Sequence, residues 1–205
     1  MLFRSAKGQI VCEIDSLGGE MGKAADATFI QSRILNRGKG PAVHSLRVQS
    51  DRVKYHTYMK HTLENTPNLY IKQAEVTAVD VENGRVTAVR TKLGAIHPVK
   101  AAIITTGTYL NGKIHIGELN YSSGPDNLLP SSGLTGCLKD LGVSMRRFKT
   151  GTPARVHKRS IDFSVMEKQS GDEQIMPFAF DNEQDRKSTR LNSSHTTVSR
   201  MPSSA

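Results

Sequence analysis

Two threonine–glycine–threonine turns gather the residues in this chain best suited to chemistry. Thr106-Gly107-Thr108 follows the apolar run Ala101–Thr105. A short apolar run ended by a turn reads as a strand buried on both faces of a parallel sheet. At the carboxyl end of such a strand, free N–H groups and hydroxyls can hold the phosphates and ribose of a cofactor. The plainer alternative is a buried strand and an ordinary glycine turn. The second turn, Thr150-Gly151-Thr152, lies among Arg146, Arg147, Lys149 and Arg155. Cations around exposed backbone donors suit phosphate or an RNA backbone; the same residues also suit a solvated face.

The remaining reactive side chains carry less. Gly38-Lys39-Gly40 is too short for a dinucleotide fingerprint and lacks the Ser or Thr that a Walker A loop places after Gly-Lys; no G-x-G-x-x-G follows a strand. The chain has seven histidines, and His56 and His61, five apart, do not share a helix face, so no metal site is expected. Cys12 and Cys137 sit in apolar helical surroundings and read as small packed residues. Glu13 and Asp15 point to different faces and make a poor acid–base pair. No catalytic residue is assigned.

These turns need elements to hold them. Ile10, Ile14, Leu17, Met21 and Ala24 or Ala25 recur at helical spacing over Ile10–Ala27, with Gly18-Gly19 marking a break. Phe29–Leu35 alternates as a short strand and runs into the turn 36–41. Ser50 or Asp51 caps a helix that stops at Asn65-Thr66-Pro67-Asn68. Strand-like runs at Leu69–Val81, Arg85–Lys92 and His97–Lys100, linked by Glu82-Asn83-Gly84 and Leu93-Gly94-Ala95, predict an antiparallel meander. Ala101–Thr105 then returns to the main sheet. After Gly117 the chain is expected to be loop-rich to Pro130, with a helix from Ser132 or Gly133 to Leu141 stopped by Gly142.

The 205 residues carry a formal net charge of +9 with 37% hydrophobic residues and no Trp. No apolar stretch approaches the roughly 18 residues of a membrane span. Two widely separated cysteines fit a reducing compartment and no disulfide framework. Both ends look foreign to the fold. Asp185–His195 resembles an in-frame translation of a sequencing-library adapter, and Leu2-Phe3-Arg4-Ser5 resembles the end of its companion. Four of the nine net charges lie in these ends, so residues 6–184 hold only +5. Aromatic content of 5% offers little stacking platform for an RNA-binding module of the RRM or OB kind.

Taken together, IVCEIDSLGGEMGKAAD, QSRILNRGKGPAVHSLRVQSDR, TTGTYLNGKIHIG and RRFKTGTPARVHKRSIDFSVM resemble consecutive segments of the GidA/MnmG family over about Ala6–Phe180. These are FAD-dependent tRNA uridine-5-carboxymethylaminomethyl modification enzymes. The resemblance implies an α/β fold: part of an FAD/NAD(P)-binding, two-dinucleotide-type Rossmann-like domain with its antiparallel β-meander, lacking the amino-terminal βαβ unit. It implies a partial FAD-binding domain over 6–112 and the start of an inserted domain over 113–184, with 1–5 and 185–205 outside the fold. The family works with a GTPase partner on the wobble uridine of certain tRNAs, uses NADH as reductant, forms a homodimer and is cytoplasmic, or mitochondrial in a eukaryote. Carried over by motif, Val76 meets the adenine side of FAD, Thr106, Gly107 and Thr108 line the flavin site, and Ser131 touches the cofactor. Lys149, Thr150, Gly151, Thr152 and Arg155 lie near flavin or tRNA. The family's Gly-rich fingerprint and catalytic-cysteine loop have no counterpart here, so this chain is expected to be an internal fragment, inactive alone and unable to hold FAD tightly. The readings left open are another FAD-linked oxidoreductase or folate-dependent tRNA methyltransferase of the same fold, and a non-enzymatic RNA-binding module.

Overall fold

Helix α1 (Lys7–Ser16) ends where its sequence requires. Gly18 adopts φ +84°, which lets its N–H reach the Asp15 carbonyl at 2.8 Å and the Gly19 N–H reach that of Ile14 at 2.9 Å. This is a Schellman ending, which the absence of a side chain at the left-handed position makes inexpensive. Helix α2 (Met21–Thr28) restarts immediately, so the periodicity over 10–27 is two helices with the expected break between them. The structure, a computed structural model, describes residues 7–151 and 156–181. Its described residues form two compact units, one from 7–71 with 156–181 and one from 72–151.

In the first unit, β1 (Phe29–Leu35) pairs antiparallel with β2 (Ser45–Ser50), and α3 (Arg52–Glu64) follows. Asp51 caps α3, its carboxylate accepting from the N–H groups of Val53 and Lys54 at 2.9 and 3.0 Å. Such a cap is worth about 1 kcal/mol. The core is Val11, Ala25 and Phe178, with Cys12, Leu46 and Val48 packed against it. Phe178 arrives on a distant segment that carboxylates hold in place. Asp26 accepts from the N–H groups of Phe178 and Ala179, and Asp15 from that of Phe180. Further along, Asp172 donates its N–H to the Ser32 carbonyl at 2.9 Å and accepts from the Ile34 N–H at 2.7 Å, which covers the free edge of β1.

The second unit is the meander β3 (Val76–Glu82), β4 (Arg85–Thr91) and β5 (Ile96–Pro98), in that spatial order, with α4 (Gly133–Asp140) on β3. Asn83 and Gly84 both take positive φ, the two-residue turn that matches strand twist. Val79, Leu134 and Leu138 form its core, flanked by Val76, Val86, Val89, Leu110 and Met145. A boundary at 112/113 therefore falls inside this unit, because α4 buries its leucines against β3.

Three expectations change. Ala101–Thr105 forms no strand: its residues are exposed, Ile103 at 90%, and no described segment pairs with it. A strand buried on both faces needs a neighbour on each side, and none of the described segments supplies one. The run from Leu69 becomes strand only at Val76. The stretch after Gly117 is not all loop, since β6 (Lys113–Ile116) and β7 (Leu119–Ser122) form a hairpin about Gly117, at φ +58°.

Candidate functional site

The turn after Thr105 is built by backbone hydrogen bonds to a segment twenty residues on. The Thr106 carbonyl accepts from the Tyr109 N–H at 3.1 Å. The Tyr109 carbonyl then accepts from the Ser131 N–H at 3.0 Å, and the Ser131 carbonyl from the Asn111 N–H at 2.9 Å. Leu110 and Ser131 thus form a parallel bridge. The structure brings Thr106, Gly107, Thr108 and Ser131 into one node through Tyr109, Leu110 and Asn111.

Close packing locks this node. A Cβ on Gly112 would lie 2.5 Å from the Ser123 carbonyl oxygen and 3.1 Å from that of Thr108. One on Gly124 would lie 2.8 Å from the Tyr109 ring. Gly133, at the start of α4, approaches Thr77 with no room for a methyl group, its Cβ position being 2.9 Å from Thr77 Cγ2. Val76, the neighbour of Thr77, opens β3 opposite Thr91 and packs into the core of the second unit.

Other faces of the node are open. Gly107 sits at φ +56° with no atom within 4 Å of its Cβ position, and Gly107 and Thr108 are exposed. Ser132 precedes α4 without a side-chain cap, leaving the first N–H groups of that helix without the usual acceptor. Thr135, in the same first turn, is 8% exposed, and its Oγ1 has no hydrogen-bond partner among the described residues. Its usual acceptor, the carbonyl four residues back, belongs to Ser131 and is engaged by Asn111.

Lys149, Thr150 and Gly151 are exposed and irregular; Thr152 and Arg155 lie outside the described residues. The loop's tie to the node is Arg147, whose Nη1 donates to the Asn111 carbonyl at 3.1 Å. The motifs do not single out Tyr109 and Asn111 as site residues, and Arg147, one of the cations around the second turn, is tied to the node only by the fold. The Asn111-Gly112 pair was the available signal, since Asn-Gly marks a tight turn and Asn111 takes φ +44°. Cys137 is occupied by β3: its sulfur lies 3.3 Å from the Val79 N–H and donates to the Val79 carbonyl at 3.5 Å. Among the described residues no group of three His, Cys, Asp or Glu could hold a metal, and no helix is long and apolar enough to cross a membrane.

This geometry has close relatives. The sequence model of a family described as Glucose inhibited division protein A matches residues 2–201. The tRNA uridine 5-carboxymethylaminomethyl modification enzyme MnmG of Caldicellulosiruptor saccharolyticus is 60% identical over 179 residues, 87% of this chain and 29% of that protein. The MnmG of Alkaliphilus metalliredigens is 58% identical over 179 residues, again 87% of this chain and 28% of that protein. Among solved structures, Aquifex aeolicus GidA superposes with a TM-score of 0.81 at 49% identity, over 88% of this chain and 30% of its own. The chain therefore spans less than a third of the length of these relatives. Matched in sequence along nearly all its length and in backbone over 88% of it, the chain belongs to the glucose inhibited division protein A family.

Proposed function

We propose that this chain is a segment of a FAD-dependent enzyme that, with a GTPase partner, adds a carboxymethylaminomethyl group to C5 of the wobble uridine, position 34, of certain tRNAs. The observation that carries the reading is the 60% identity, over 87% of this chain, to a protein named for that modification. The node around Ser131 supports a cofactor edge. It offers open space beside Gly107 together with two polar features short of partners, the uncapped start of α4 and the orphaned, buried Thr135 hydroxyl. These fit one edge of a dinucleotide, where backbone donors meet phosphate and ribose oxygens.

In this reading Thr106, Gly107 and Thr108 line the flavin, Ser131 hydrogen-bonds the cofactor and Val76 meets its adenine side through the backbone. Flavin bound there and reduced by NADH would take part in passing a one-carbon unit from methylene-tetrahydrofolate to uridine C5, with glycine or ammonium supplying the amine. The protein's part here is to orient that group and keep its polar edge satisfied. Lys149, Thr150, Gly151, Thr152 and Arg155 receive tRNA phosphates, with Arg147 tying their loop to the node. The whole enzyme acts as a cytoplasmic homodimer.

The test uses the full-length protein that contains this segment. It is expected to purify with stoichiometric flavin absorbance, and Gly107→Val, which forces a branched side chain onto a left-handed backbone, is expected to lose at least tenfold in FAD affinity. Lys149→Ala is expected to weaken tRNA binding and lower the salt slope by about 1. A flavin-free full-length protein, or full flavin occupancy in Gly107→Val, would count against the reading.

A further inference from the structure

The β1–β2 ribbon places two arginines where sheets avoid them. Its register sets Arg33 directly opposite Arg47, with Gln31 opposite Gln49 on the same face. The other face, carrying Leu46 and Val48, packs on the core of the first unit. Side chains directly opposite stand about 5 Å apart at Cβ, and like charges there destabilise the pair. Arg33 is half-buried, and its partner is a neutral amide: Nη1 donates to Gln169 Oε1 at 3.1 Å. Asp172, the carboxylate on the adjoining edge, is taken by Arg37 at 2.7 Å and by the Ile34 N–H. Among the described residues neither Arg33 nor Arg47 forms an ion pair.

We infer that Arg33 and Arg47 form an oxyanion site whose ligand is a phosphate group, held between the two guanidinium forks with the Gln49 amide beside them. Guanidinium matches phosphate with paired donors in a fixed plane. A dianion or diester between the two cations converts their repulsion into shared attraction. Gln169 fixes the half-buried fork without spending its charge. The site lies wholly in the first unit, uses none of the residues assigned to flavin, and its test needs neither flavin nor tRNA modification.

The experiment titrates the full 205-residue chain with inorganic phosphate, and separately with a short single-stranded RNA, following the arginine side-chain Nε–Hε resonances by NMR. The Arg33 and Arg47 signals are expected to shift together and saturate at a single Kd. Arg33→Gln and Arg47→Gln are each expected to weaken binding at least tenfold, while Arg85→Gln on β4 leaves it unchanged. Arg47→Glu is expected to abolish binding yet raise Tm by roughly 1–3 °C, because an opposite charge then faces Arg33. RNA binding at least tenfold tighter than phosphate, with the salt slope falling by about 1 per arginine removed, assigns the phosphate to a nucleic-acid backbone; equal affinity assigns it to a free phosphate. Non-saturating shifts, binding that survives Arg47→Glu, or a lower Tm in that variant would overturn the site.

Discussion

Asp26 spends both carboxylate oxygens on consecutive backbone donors, 2.8 Å from the Phe178 nitrogen and 2.9 Å from that of Ala179. This joins segments 152 and 153 residues apart in the chain, and only a short anionic side chain at that position meets two adjacent N–H groups at once. Asp26→Ala leaves both donors without their acceptor and is expected to cost roughly 1.5–3 kcal/mol, the range for hydrogen bonds to a charged group, read as a lower urea midpoint. Asp162 differs. Its side chain is fully exposed, and hydrogen bonds from the Ser164 hydroxyl and N–H hold its carboxyl below the ordinary 3.8. A depressed carboxylate stabilises the fold above its unfolded pKa, and that contribution is lost as pH falls through the folded one. An NMR titration of Asp162 is expected to show a midpoint under 3.8 that rises toward it in Ser164→Ala. Sequence spacing leaves the role of Asp26 unreadable, because it acts on a segment that only the tertiary fold brings near.

At the scale of elements, local signals were legible wherever the stabilising partner is also local. Asp51 and Asn65 bracket α3, Gly18 separates α1 from α2, and Asn83-Gly84 turns β3 into β4. Elements defined by distant partners were not. Ser45–Ser50 has apolar residues at only two positions and becomes β2 through its register with β1; the Arg33–Arg47 pair exists only in that register. Ala101–Thr105 shows the converse: its composition is that of a buried strand, but strand formation depends on neighbours outside the run itself. Ile103→Thr is accordingly expected to change the stability of this chain by less than about 0.5 kcal/mol. Two glycines separate packing from propensity in the same unit. Gly112→Ala drives a methyl group into the Ser123 carbonyl and is expected to cost about 1–3 kcal/mol. Gly136→Ala, on the exposed side of α4 with nothing within 4 Å, is expected to gain about 0.5–1 kcal/mol. Thermal unfolding followed by circular dichroism distinguishes them by sign.

For the whole molecule, the two units carry different groups of candidate site residues. The second holds the node of Thr106–Thr108 and Ser131; the run TTGTYLNG suggests a cofactor edge at its Thr106–Thr108 turn, and Ser131 comes from the family resemblance. Its Asn111 and Arg147 supports emerged only from the fold. The first holds the arginine pair. The chain spans 29% of its Caldicellulosiruptor relative. The isolated 205-residue chain is therefore expected to bind less than stoichiometric flavin, which its absorbance after gel filtration in excess FAD will show. The most direct measurement is a chimera in which residues 6–184 replace the matching segment of the Caldicellulosiruptor enzyme, assayed by mass spectrometry of tRNA nucleosides. Retained flavin and carboxymethylaminomethyl-uridine at position 34 are expected, with both lost when Gly107→Val is introduced; a folded chimera without flavin and without the modified nucleoside would overturn the proposed function.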